Sequence, residues 1–346
     1  MSFLEDARKK LQKRELVNSG GASASANANS LHTYDPKEKE RYAARINKIM
    51  SDDPSYVPVN PAGDDVWARM ADGEFMCRLL NKCEPGAVPD GVVKKTKPGA
   101  TTSFHNADTI THFIAAGRKI GLEMIGLGAT DFTRALEEHK EHLIMGAVWQ
   151  MLRRQLANEI KQILKRQEEE AEKRGKKLVN YSALMAKVLK DPEAYLCDWI
   201  NETMKQKGVP LANNGKGVTS MGDLSLGQSD TLLRLMNALD PNPHTTPEAI
   251  AAAAAADSTG DARAVSALDW VSDHAIVTLS NSEDLVSSNP RQLMPFVLQL
   301  FTWVSQQPGK ESLYVVRNHT HTKAGDKAFS ASVSVGVFKL ESEALQ

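Results

Sequence analysis

His139 and His142 stand three residues apart in the stretch HKEHLIMGAVWQMLRRQL, a spacing that puts both rings on one face of a helix and within reach of one metal ion. His319 and His321 form a second close pair, in a polar stretch near the end of the chain. A protein metal site needs further ligands, and no cysteine or acidic residue at diagnostic spacing joins either pair, so packing and surface roles are the better reading. The cysteines are Cys77, Cys83 and Cys197, without C-x-x-C spacing, so neither a disulfide framework nor a zinc site is indicated. A reduced, cytosolic compartment fits that usage. NNGKGVTS (213–220) approaches a phosphate-binding loop, but its first glycine and the Ser/Thr after its lysine are misplaced. GLGAT (126–130) has no strand before it and is not a dinucleotide loop. These residues argue for no enzyme, no cofactor and no metal.

The elements that carry these residues are helical. The chain has 346 residues, 41% of them apolar and 25% charged, enough for two domains with proper cores. Its net charge of −1 argues against nucleic acid as a partner, because neutralising phosphates needs a basic excess. No run reaches the ~20 apolar residues of a membrane span. The first residues, MSFLEDARKKLQKRELV, lack an apolar signal core, and NSGGASASANANS (18–30) reads as a linker, so residues 1–30 are expected to form a flexible N-terminal segment.

Folded chain is expected from about residue 31. Asp35 and Pro36 signal a helix start, with Tyr42, Ile46 and Ile49 on one face. One helix is predicted from about Val66 through Lys82 and another over Ala107–Ile120, capped by Gly121. His139–Leu156 is apolar on nearly every side, which demands burial as a central helix. The alternating charges of 157–178 predict a solvated, connecting helix.

The second half repeats the plan at offsets near 150 residues. CRLLNKCEP (77–85) falls on LRLMNALDP (233–241), which pairs Arg78 with Arg234 and Asn81 with Asn237. Ile46-Asn47 falls on Ile200-Asn201, and Ala129–Phe132 on Ser282–Leu285. Met145, Val148, Gln150 and Leu152 fall on Met294, Val297, Gln299 and Phe301. Asp131 and Asp284 thus recur by duplication, which assigns them to capping rather than to acid–base chemistry. The predicted organisation is all-α: a first helical domain over 31–158, a charged helical connector over 159–190, and a second helical domain over 191–306. A tail follows over 307–346, where SLYVVRN and ASVSVGVFKL alternate with a period of two and predict a C-terminal β-hairpin.

Several runs resemble the calponin-homology domain, and the pair resembles the actin-binding region of the fimbrin/plastin family. In the first domain they are His32-Thr33-Tyr34, Pro58 with Asn60-Pro61 and Asp64-Asp65, then Asp72-Gly73 leading to Cys77 and Asn81. Lys94-Lys95, Asn106, Ile120-Gly121, Gly128-Ala129 with Asp131, and His142-Leu143 to Trp149-Gln150 follow. In the second they are Glu283–Ser287, Asn289-Pro290, Phe296-Val297 and Leu300-Phe301. The resemblance implies two tandem calponin-homology-like domains that bind actin filaments in the cytoplasmic cytoskeleton. The implied contact surfaces lie at about 37–50, 142–156 and 192–206, with Lys39, Arg41, Lys48, Arg153, Arg154 and Lys205 as basic contacts to an acidic filament. Microtubules, for example in a flagellar axoneme, are the alternative partner, and an adaptor role without a filament is a third reading. The sequence departs from the family pattern in two domains rather than four, the lack of a D-x-[DN]-x-[DN]-G calcium loop, and Arg45 where tryptophan is usual. Bundling by one such pair would need self-association.

Overall fold

The computed structural model describes residues 36–89, 91–92, 103–138, 140–175, 181–257 and 259–307, and the backbone of 312–320 and 331–339. Asp35, His139 and His321, and the side chain of His319, lie outside the described residues. The chain divides into two compact units, Met1–Gln155 and Leu156–Gln346.

In the first unit, α1 (Pro36–Ile49) turns Tyr42, Ala43 and Ile46 into the core. The single helix expected from Val66 to Lys82 is two: α2 (Asp65–Met70) and α3 (Gly73–Cys83). The break is chemical, because Asp72 is extended (φ −89°) and its Oδ1 accepts from the N–H groups of Glu74 (2.9 Å) and Phe75 (3.3 Å), starting a new helix. The α4 helix (Ser103–Lys119) crosses α3 closely at Gly73, where a Cβ would sit 2.8 Å from the Ile110 nitrogen. Asn106 stitches the same crossing, accepting from Gly73 N–H (2.7 Å) and donating to the Ala71 carbonyl (2.5 Å).

The short α5 (Ala129–Thr133) leads into α6 (Glu141–Lys173), the long helix that crosses from one unit into the other. On α6, Ile144, Met145, Ala147, Val148, Met151 and Leu152 are buried in the first core, with Trp149 partly buried against it. The run expected to be a solvated connector is amphipathic instead. Ala157, Ile160, Ile163, Leu164, Gln167, Glu168 and Ala171 are buried at three- and four-residue spacing, while Lys165, Arg166, Glu169 and Glu170 face solvent.

The second unit continues with α7 (Tyr181–Lys190), α8 (Pro192–Gln206), α9 (Leu224–Gly227), α10 (Asp230–Leu239) and α11 (Pro247–Ala256). It closes with α12 (Asp261–Asp273), α13 (Ser282–Val286) and α14 (Pro290–Gln306). Its core is aromatic: Phe301 meets Tyr195 at 5.8 Å and Trp199 at 5.5 Å, both edge to face. The α14 helix carries Pro295 in its interior and still runs to Gln306. Beyond it, β1 (Ser312–Thr320) and β2 (Ala331–Lys339) pair antiparallel, with Leu313 opposite Phe338.

The internal repeat is visible atom by atom. In the first unit the Asn47 amide donates to the Val59 carbonyl (3.0 Å) and accepts from its N–H (2.6 Å). Asn201 does the same to Val218, at 2.8 Å in both directions. Asp131 accepts from the Gly128 N–H (2.7 Å) at the start of α5, and Asp284 accepts from the Asn281 N–H (2.9 Å) at the start of α13.

Burial alone would raise the Asp131 carboxyl, but the Lys140 ammonium at 2.6 Å and the Gly128 N–H outweigh it and hold it below the usual range. A depressed carboxylate contributes stability that is present above the unfolded value of ~4 and is lost as pH falls through the lower folded value. Asp131→Asn should therefore cost about 1–2 kcal/mol at neutral pH, and the gap to the unsubstituted chain should close as pH drops below ~4 in denaturant titrations.

The two units end their equivalent helices in the same way with different residues. After α4, Gly121 is left-handed (φ +87°) and Leu122 N–H donates back to the Gly117 carbonyl at 2.9 Å. After α12, Ala275 takes that position at φ +53°, with Ile276 N–H donating to Val271 at 3.0 Å. An alanine there carries a Cβ penalty that glycine does not. Ala275→Gly should raise stability by about 0.5–1 kcal/mol, read as a higher midpoint in thermal or denaturant unfolding.

Candidate functional site

The basic residues singled out from the sequence lie on three helices. On α1 the inward side is fixed by Glu38, Tyr42, Arg45 and Ile46, with the Tyr42 hydroxyl donating to Glu38 Oε1 at 3.0 Å. Lys37, Arg41 and Lys48 share one stripe on a flank of that side, Lys37 and Lys48 exposed and Arg41 half-buried. Lys39 lies on the other flank of the helix, half-buried, with its ammonium donating to the Gly63 carbonyl at 2.9 Å. Lys37 was not singled out from the sequence; the signal that finds it is its spacing of four from Arg41.

Arg45 is buried at 7% exposure and donates to Gln155 Oε1 on α6 at 2.6 Å. It fills the position that Trp199 fills in the second unit, so a polar tie between α1 and α6 stands in for an aromatic contact. On α6, Arg153 is half-buried. Arg154 is engaged within its own unit: its Nε meets Glu84 Oε2 at 2.6 Å, and its side chain is only 19% exposed. Glu84 is the residue that ends α3, so this ion pair ties α6 to the end of α3. On α8, Lys205 is exposed and pairs with Glu202 one turn back at 2.8 Å. Lys48 and Lys205 thus offer the freest cationic surface of the six, and Arg154 the least.

Among the described residues no group of three or more His, Cys, Asp and Glu side chains is placed to hold a metal ion. No helix among them is long and apolar enough to cross a membrane. Burial pushes the Cys77 thiol up to about 12 and raises Cys197 further, which keeps both as buried thiols rather than nucleophiles.

Residues 42–157 match the calponin homology (CH) domain family, which defines the class of the first unit. Beyond that domain the chain is similar to plastins along most of its length. It is 27% identical to Plastin-1 of Homo sapiens over 301 residues, covering 85% of this chain and 44% of that protein. Against Plastin-3 of Bos taurus the identity is 26% over 302 residues, covering 85% of this chain and 45% of the relative. The chain therefore spans less than half the length of these relatives. Its fold is similar to the crystal structure of the actin-crosslinking core of Schizosaccharomyces pombe fimbrin, with a TM-score of 0.58 and 22% identity over 80% of this chain and 51% of that one.

Proposed function

We propose that this chain is a non-enzymatic cytoskeletal protein that binds actin filaments through its tandem CH pair. The observation that carries the reading is the plastin-like sequence running across both units, 85% of the chain, and not the first CH domain alone. The proposed contacts are Lys39, Arg41 and Lys48 on α1, Arg153 and Arg154 on α6, and Lys205 on α8. Basic groups beside apolar helix surface suit an acidic filament and would make binding weaken as salt rises. One pair decorates one filament, so cross-linking follows only where the protein self-associates. Its place would be the cytoplasmic cytoskeleton.

Lys48→Glu and Lys205→Glu test the surface in high-speed cosedimentation with actin filaments. Each exposed charge is worth roughly 0.5–1 kcal/mol, so each reversal should weaken binding about two- to fivefold. Unchanged binding in the double variant would remove these helices from the interface. Arg154 is a poor probe, because its removal also breaks the tie to Glu84.

A further inference from the structure

The same helical stripe is covered in the first unit and open in the second. On α3, Glu74 accepts from Arg78 Nη2 at 2.8 Å, and the Tyr56 ring lies over that guanidinium at 5.2 Å. The Tyr56 hydroxyl pairs with the Glu74 carboxylate. One turn further along, the Asn81 amide donates to the Val88 carbonyl (3.0 Å) and accepts from its N–H (2.8 Å). A tyrosine ring and the backbone of a loop therefore close this stripe.

On α10 the duplicated residues are Asp230, Arg234 and Asn237. Arg234 Nε donates to Asp230 Oδ2 at 2.8 Å, repeating the pair beneath Tyr56. Among the described residues no aromatic ring covers it. The three side chains line an open groove of about 340 Å³, whose other walls include Val209 after α8 and Ile250 and Ala254 on α11. The loop equivalent to that of Val88 satisfies itself instead: Asn242 accepts from the His244 N–H at 3.0 Å, and its own N–H donates to Thr245 Oγ1 at 3.2 Å. No hydrogen bond to the Asn237 amide occurs among the described residues. The groove thus keeps the polar half of an arrangement whose other half the first unit supplies from its own chain.

We propose that the groove between α10 and α11 binds an extended peptide that presents a tyrosine, with its ring on Arg234, its hydroxyl on Asp230 and its backbone on Asn237. A ring over a guanidinium is an attractive pairing, and the apolar walls of Ile250 and Ala254 suit the flanking residues. Arg234 and Asn237 are three positions apart, ~4.5 Å along the helix, a distance one or two extended residues span. This binding is independent of any filament contact.

The test uses the chain's own covering segment as probe: a fluorescein-labelled peptide Asp-Pro-Ser-Tyr-Val-Pro-Val, the sequence of residues 53–59. Anisotropy titration with the full chain should give saturable binding with a Kd below ~1 mM. Replacing the peptide tyrosine by alanine, or Arg234 by alanine in the protein, should weaken it by at least about tenfold. Ala254→Trp, which fills the groove, should abolish it. Arg234 and Ala254 are exposed, so both variants should fold, as circular dichroism melting checks. Absence of saturable binding, or binding that survives both Arg234→Ala and Ala254→Trp, would overturn the proposal.

Discussion

Replacing Trp199 with alanine should destabilise the second unit by about 3–5 kcal/mol, the range for removing a fully buried aromatic side chain. Trp199 is 0% exposed and meets Phe301, itself 0% exposed, so truncation opens a cavity between α8 and α14 that rigid helices cannot close. Trp199→Phe should cost far less, about 1 kcal/mol. The indole N–H it removes is buried without a hydrogen-bond partner among the described residues, so its loss partly offsets the lost area. Chemical denaturation followed by far-ultraviolet circular dichroism would read both variants. A cost below about 1 kcal/mol for the alanine would contradict the aromatic core described for this unit.

Asn47→Leu and Asn201→Leu should each cost about 2–4 kcal/mol, one in each unit. Leucine keeps the branched heavy-atom skeleton of asparagine, so most of the loss comes from hydrogen bonding. Each substitution strands both backbone groups of a buried valine, Val59 or Val218, and each stranded group costs about 1–3 kcal/mol. Asn201 is also packed tightly, since a Cβ on Gly217 would fall 2.4 Å from its Oδ1. The two variants should match within roughly 1 kcal/mol, because the same device recurs by duplication. Unequal costs beyond that margin would mean that the equivalence stops at geometry.

The parts of the fold legible in the sequence were those set by period and by repetition. Helix faces such as Tyr42 and Ile46 follow from apolar spacing, and Asp131 and Asp284 are readable as caps because they recur. Two features were hidden for physical reasons. The break between α2 and α3 depends on one carboxylate, Asp72, taking backbone N–H groups in the middle of an apolar period. The buried face of 157–171 was masked by flanking charges, since Lys165, Arg166, Glu169 and Glu170 dominate the composition while Ile160, Ile163 and Leu164 carry the packing.

The proposed contact surface was legible only as a set of positive charges. Sequence cannot tell an available cation from one already committed, and Arg154 looks no different from Arg153 until Glu84 is seen beside it. Arg45 is a second case: a charged residue on an amphipathic helix reads as solvated, yet it is buried against Gln155. The open stripe on α10 required both units in view, because only the covered copy on α3 shows what such a stripe accepts.

The central proposal is actin-filament binding, and cosedimentation of the full chain with actin filaments, in parallel with stabilised microtubules, tests it most directly. Saturable pelleting with actin at high speed is expected, weaker at raised salt, with little low-speed bundling unless the protein self-associates. Pelleting with microtubules alone, or with neither filament, would contradict the proposal.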